Sequence, residues 1–106
     1  MICRLWRGIA TNENAPRYEK IVRTQVIPNI EARGIPGFIH IDLARRSVPD
    51  GVEFLTIMWF DRLESVKRFV GEDYEVAHVP IEAQAVLSSF EQRATHFDVL
   101  DRRPQH

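Results

Sequence analysis

The chain has 106 residues, 44% hydrophobic and 27% charged, and its fourteen basic and fifteen acidic residues leave a net charge of −1. Such a composition suits one hydrophobic core in a single domain spanning 1–106 and excludes a disordered chain. No face-sized basic cluster is visible beyond the pairs Arg45-Arg46 and Arg102-Arg103, which argues against nucleic acid, because phosphate neutralisation draws on a concentrated basic surface.

One cysteine, Cys3, rules out an intrachain disulfide and a cysteine metal cluster and fits a reducing, cytoplasmic setting. Arg4 and Arg7 interrupt the opening residues, and no apolar run reaches the ~18 residues of a membrane span. Neither a secretory leader nor membrane association is expected. A Gly-rich phosphate loop, a His-x-x-x-His pair and a serine elbow are all absent, so no metal and no cofactor is expected.

Ile2 to Ala10 alternates as a strand, with Cys3, Leu5 and Ile9 on one side and Ile2, Arg4 and Trp6 on the other. Asn14 caps a helix carrying Pro16 in its first turn. In that helix Tyr18, Ile21, Val22, Val26, Ile27 and Ile30 recur at helical spacing, Pro28 kinks or splits it, and Gly34 stops it. A strand from Phe38 to about Ser47, a turn at 48–51 and a strand from Val52 to Asp61 form an antiparallel hairpin. The second of these is apolar on both sides in its later half, as a strand covered on both faces would be. Asp61 caps a helix from Leu63 to Gly71 whose buried stripe is Leu63, Val66, Phe69 and Val70. A looser segment through Tyr74 leads to a helical piece from Ile81 to Phe90, a last strand from Ala94 to Leu100 and a polar, flexible tail over 101–106 that includes His106. The order is the α+β, ferredoxin-like βαββαβ plan: a four-stranded antiparallel sheet with helices on one face.

Such a sheet leaves its other face uncovered. Whichever side the helices take, either Phe54, Met58 and Phe60 or Leu55, Ile57 and Trp59 point away from them. An apolar patch of that kind implies a second copy packed face to face about a two-fold axis. The contrary expectation is a monomer whose open face is kept wet by Arg4, Asp42 and Glu53.

The strand Trp6-Arg7-Gly8 leading to Asn14-Ala15-Pro16-Arg17-Tyr18-Glu19, the joint Arg33-Gly34-Ile35-Pro36-Gly37-Phe38 and the strand Thr56-Ile57-Met58-Trp59-Phe60 resemble the antibiotic biosynthesis monooxygenase domain group. The resemblance covers nearly the whole chain and implies a dimeric α+β barrel. That superfamily includes cofactor-independent monooxygenases of polyketide quinones and haem-degrading enzymes. Within the haem-degrading branch, His78 in Tyr74-Glu75-Val76-Ala77-His78 matches the place of the axial histidine, while the asparagine and tryptophan of that branch are replaced by Trp6 and Phe69.

His40, His78 and His96 are the interior imidazoles, and histidine is the natural proton acceptor near neutral pH. His96 stands out because Asp98 lies two residues on, on the same strand face, and His40 with Asp42 repeats the spacing. The other reading of His96 is a packed side chain bonded to backbone, and that of His40 and Asp42 is a dimer interface. Trp6 and Trp59 offer flat walls to a ring-shaped ligand, Tyr74 a phenol at a pocket mouth and His78 a ligand contact in a closing loop. The expected protein is a homodimer acting on a small aromatic or polyketide-type substrate in an apolar cleft, with catalytic His96, Trp59 and Tyr74 and substrate-binding Trp6, His78 and His40. The alternatives are a non-catalytic small-ligand-binding or stress-associated dimer, and haem binding or degradation through His78.

Overall fold

The computed structural model describes residues 1–105. Strand β1, Ile2–Ala10, runs at the centre of an antiparallel sheet, with β3, Gly51–Phe60, on one side and β2, Phe38–Val48, beyond it. The other edge of β1 is shared by two short strands, β4, Ser89–Phe90, and β5, Thr95–Asp98. Helices α1, Ala15–Ile21, α2, Ile27–Ala32, α3, Leu63–Val70, and α4, Ile81–Gln84, complete the chain. The expected ferredoxin-like strand order is present, with the fourth strand in two pieces.

That break has a local cause. Where a continuous ladder would run, the Glu91 carboxylate accepts the Arg7 backbone N–H at 2.9 Å, and the Trp6 indole N–H donates to the Glu91 carbonyl at 2.8 Å. Side chains thus take over one stretch of the β1 edge. Ahead of the break, the helix expected from Ile81 to Phe90 ends at Gln84, because Ser88 and the residues after it bond to the β1 edge at Ile9 and Gly8 instead. A free sheet edge competes successfully with helix propensity for these backbone groups.

The first helix passes Pro28 without breaking. Proline lacks an N–H and its ring presses on the carbonyl four residues back. One wide π turn, Val22–Val26, joins α1 to α2 and absorbs the mismatch, with the Ile27 N–H reaching the Val22 carbonyl. Two expected caps also differ. Asn14 makes no side-chain cap bond; its own N–H donates to Thr11 Oγ1 at 3.1 Å. Asp61 accepts the Ser65 hydroxyl rather than a helix N–H, and Arg62 takes the cap position. Gly37, at φ +84°, lies against this Asp61–Ser65 pair so closely that a Cβ would overlap both side chains.

The helices cover the sheet face that carries Trp6, Phe54, Met58 and Phe60. One core cluster centres on Trp6, Tyr18 and Phe54, the Tyr18 and Phe54 rings lying 4.7 Å apart; the other centres on Ile30, Met58, Phe60, Val66 and Phe69. Arg4, expected to keep an open face wet, is instead only 3% exposed beneath the helices. The opposite face presents Leu5, Leu55, Ile57, Trp59 and Phe97, with Phe97 55% exposed. A bulge at Ile39 moves His40 to this open face, while Phe38 remains packed on Phe60. Residues 101–105 form no regular element, and the Arg102 guanidinium lies 4.9 Å from the centre of the Trp59 ring. His106 lies outside the described residues. Among these, no helix is long and apolar enough to cross a membrane, and no group of three or more His, Cys, Asp and Glu is placed to hold a metal ion.

Candidate functional site

A narrow cavity of about 50 Å³ separates the sheet from the helices. Its floor is Arg4 and Trp6 from β1 with Thr56 and Met58 from β3, its roof is Tyr18 and the π turn, and one end is closed by Phe69, His78 and Pro80. A wider depression of about 230 Å³ shares Val26, Ile30, His78 and Pro80 with it. His78 and Pro80 therefore stand where the two cavities meet, with the exposed His78 at their mouth. The π turn matters here, because its widened backbone places Val22 and Val26 side by side over the void.

Among the described residues, Arg4 is the one charged side chain lining the inner void. Its Nη1 donates to the Tyr74 carbonyl at 2.6 Å and to His96 Nε2 at 3.2 Å, and its Nη2 to the Val76 carbonyl at 2.6 Å. Burial lowers the Arg4 pKa to about 10, so the side chain stays cationic at neutral pH. A guanidinium can only donate, so His96 Nε2 must accept and the neutral ring carries its proton on Nδ1. Nδ1 is buried and has no hydrogen-bond partner among the described residues. Burial first, then the Arg4 charge, hold the His96 pKa below the usual range, against a smaller opposing pull from Glu75.

His78 is solvent-accessible at the mouth, with its ring 5.0 Å from that of Phe69. Partial burial and then the charges of Arg33 and Arg4 push its pKa down as well. Both guanidinia lie over the Phe69 ring, at 5.4 Å for Arg4 and 5.3 Å for Arg33. His78 is thus held neutral beside two cations, and its ring is free of hydrogen bonds among the described residues, as a proton acceptor must be.

The six candidate residues separate into three groups. Trp6 and His78 line the void. His96 and Tyr74 lie behind its wall, their rings edge to face at 5.3 Å, and neither lines it. Trp59 and His40 lie on the opposite sheet face, so Trp59 cannot stack on a ligand that touches Trp6. There Trp59 Nε1 donates to Asp42 at 2.9 Å, and His40 Nε2 lies 3.5 Å from the same carboxylate oxygen. The two His-x-Asp pairs do not converge, because β5 faces His96 toward the helices while the bulge in β2 faces His40 away from them. Arg4 was the residue missed. Its signal is parity: it shares a strand face with Ile2, Trp6, Gly8 and Ala10, so only a buried or paired arginine fits.

The residues present do not fit haem. The void is far smaller than a porphyrin, and two guanidinia flank the imidazole that would have to bind iron.

The architecture is a ferredoxin-like α+β fold, an antiparallel sheet with helices on one face. Among solved structures it is similar to a monooxygenase from the gene ActVA-Orf6 of Streptomyces coelicolor, in complex with the ligand nanaomycin D, at 11% identity and a TM-score of 0.60, over 99% of this chain and 92% of that one. SnoaB, a cofactor-independent oxygenase from Streptomyces nogalater, matches at 16% identity and a TM-score of 0.60, over 98% and 97% of the two chains. Rv0793 from Mycobacterium tuberculosis matches at 13% identity and a TM-score of 0.60, over 97% and 98%. No family model and no curated protein matches the sequence. At these identities the likeness establishes the fold, and the reaction has to be argued from the site.

Proposed function

We propose that the chain is a cofactor-independent monooxygenase-type protein that holds a small aromatic or polyketide-type molecule in the cleft between sheet and helices. The observation that carries this reading is an apolar cleft walled by Trp6, Tyr18 and Phe69 whose mouth holds one accessible, neutral imidazole, His78. The two Streptomyces oxygenases of the same fold support the reaction type. His78 takes a proton from an acidic ring position, and the resulting anion gives its electrons to dioxygen. One oxygen atom remains as a new ring carbonyl where two hydrogens were, and the other leaves as water. The apolar walls hold the ring and keep the reacting anion dry. His96 and Tyr74 act from behind the wall by fixing Arg4 and the segment it holds.

An inner void of about 50 Å³ is well below the roughly 300 Å³ of an ordinary ligand pocket. Ligand entry therefore swings His78 and Pro80 outward and merges the two cavities. The narrowness of the void also favours the second reading, a small-ligand-binding protein without turnover. Oxygen uptake with hydroxynaphthalenes and anthrones separates the two. Turnover that drops by about 10² or more in His78→Gln supports His78 as the base; full turnover in that variant removes it from the mechanism. Thermal stabilisation by ligand with no oxygen uptake favours the binder.

The working unit in this proposal is a homodimer formed through the open sheet face. Leu5, Leu55, Ile57, Trp59 and Phe97 share that face, and an apolar surface of this kind favours burial against a second copy. His40 and Asp42 then serve the interface rather than a substrate.

A further inference from the structure

Arg4 poses an electrostatic problem that the chain does not solve by itself. Arginine is almost never fully buried unless it is paired, because removing its charge from water costs several kcal/mol. Here the three acceptors of Arg4 are two backbone carbonyls and a neutral imidazole, and no carboxylate forms an ion pair with it among the described residues. Among the described residues, no Asp or Glu lines the inner void. Arg33, over the same Phe69 ring, spends its Nη2 on the carbonyls of Arg68 and Phe69 and leaves its charge unopposed too. Glu75, the acid that bears on His96, is exposed and lies 3.4 Å from Arg93. The two carbonyl bonds explain how Arg4 ties the 74–76 segment to β1, but dipoles do not neutralise a cation. Of five guanidinium N–H groups three are used, and two remain, the number that the two oxygens of a carboxylate accept.

We propose that the cleft selects an aromatic ligand bearing an acidic group, a carboxylate or a comparably acidic ring oxyanion, and that Arg4 at the cleft floor receives that group. The inference rests on the reading of the cleft as the ligand site and adds the charge of the ligand to it. Bound there, the anion supplies the missing counter-charge, the ring lies along Trp6 and Tyr18, and His78 meets the ligand from the mouth.

A matched pair of probes tests this: 1-hydroxy-2-naphthoate and its neutral amide, 1-hydroxy-2-naphthamide, each titrated into the intact protein by calorimetry. The acid is expected to bind at least about tenfold more tightly than the amide, which is roughly 1.4 kcal/mol, and Arg4→Met is expected to abolish the difference. Because that variant also removes a buried anchor of the fold, a second readout uses the unmodified protein. Bound acid raises the titration midpoints of the His78 and His96 ring protons in NMR spectra, whereas bound amide leaves them in place. Equal affinities with unmoved midpoints for both probes would overturn the acidic-ligand proposal and leave Arg4 as a strut, with the aromatic cleft itself intact. Binding of neither probe would overturn both.

Discussion

Phe69 is where the architecture of the cleft and its charges meet. It is 5% exposed, packs on Phe60 with 6.2 Å between ring centres, and carries Arg4, Arg33 and His78 around its ring. Phe69→Ala removes a buried aromatic ring from the second core cluster, a change that costs about 3–5 kcal/mol. The stability of a small domain is about 5–15 kcal/mol, so the loss is a large share of the whole. With a urea slope near 1.5–2 kcal/mol per molar, the midpoint falls by roughly 2–3 M. Phe69→Leu keeps most of the apolar volume and removes the π face, which isolates the cation contacts. A double-mutant cycle between Phe69→Leu and Arg4→Met should then give a coupling of roughly 0.5–2 kcal/mol. Urea unfolding followed by tryptophan fluorescence measures all five proteins, the unchanged chain included. A Phe69→Ala midpoint within about 0.5 M of the unchanged chain, or a coupling near zero, would refute the idea that this ring organises the closed end of the cleft.

Three further outcomes follow from the same contacts. His78 and His96 both have folded-state pKa values below the ordinary histidine value, so the unfolded chain binds protons more readily than the folded one. Stability is therefore greatest above the unfolded pKa of about 6.5 and falls as the pH drops through that value toward the folded ones. His78→Gln should make that decline shallower in unfolding curves taken between pH 5 and 8. Gly37→Ala places a Cβ into the Asp61–Ser65 pair at φ +84° and should cost more than about 1–2 kcal/mol, the ordinary penalty for a side chain in a left-handed conformation; a thermal melt unchanged within error would contradict that packing. Ile57→Glu puts a charge at the middle of the open face and should convert a dimer to monomer in light scattering while preserving the fold by circular dichroism, and a persistent dimer would place the interface elsewhere.

Much of the fold could be read from alternation. The parity of β1 separates Cys3, Leu5 and Ile9 from Arg4 and Trp6, and the structure keeps that division. Gly34, at φ +58°, ends the first helical region at the expected place. Local pattern failed where a long-range partner decided the outcome. Ser89 and Phe90 fit a helix by themselves and become a strand because the β1 edge is free beside them. Asn14 has cap chemistry, yet Thr11 makes the bond. The candidate site suffered most from this limit. The spacing of His96 and Asp98 and that of His40 and Asp42 are identical in sequence, but one bulge at Ile39 and the pairing of β5 with β1 send them to opposite faces. Trp59 is separated from Trp6 by register alone, since it pairs with Cys3, whose side chain points to the sheet face opposite Trp6. The closure of the void by His78 and Pro80 depends on how the 71–88 segment lies across two other elements, which no periodicity encodes.

In the proposed function an aromatic ligand enters between sheet and helices and not against the open sheet face. The chain's two tryptophans report on these two places, Trp6 from the cleft and Trp59 from the open face. Titration of 15N-labelled protein with 1-hydroxy-2-naphthoate, read at the two indole N–H signals, is therefore the most direct measurement. A ligand in the cleft is expected to give a saturable shift of the Trp6 indole signal with the Trp59 signal unmoved. A shift confined to Trp59 would place the ligand on the opposite face and contradict the cleft as the site.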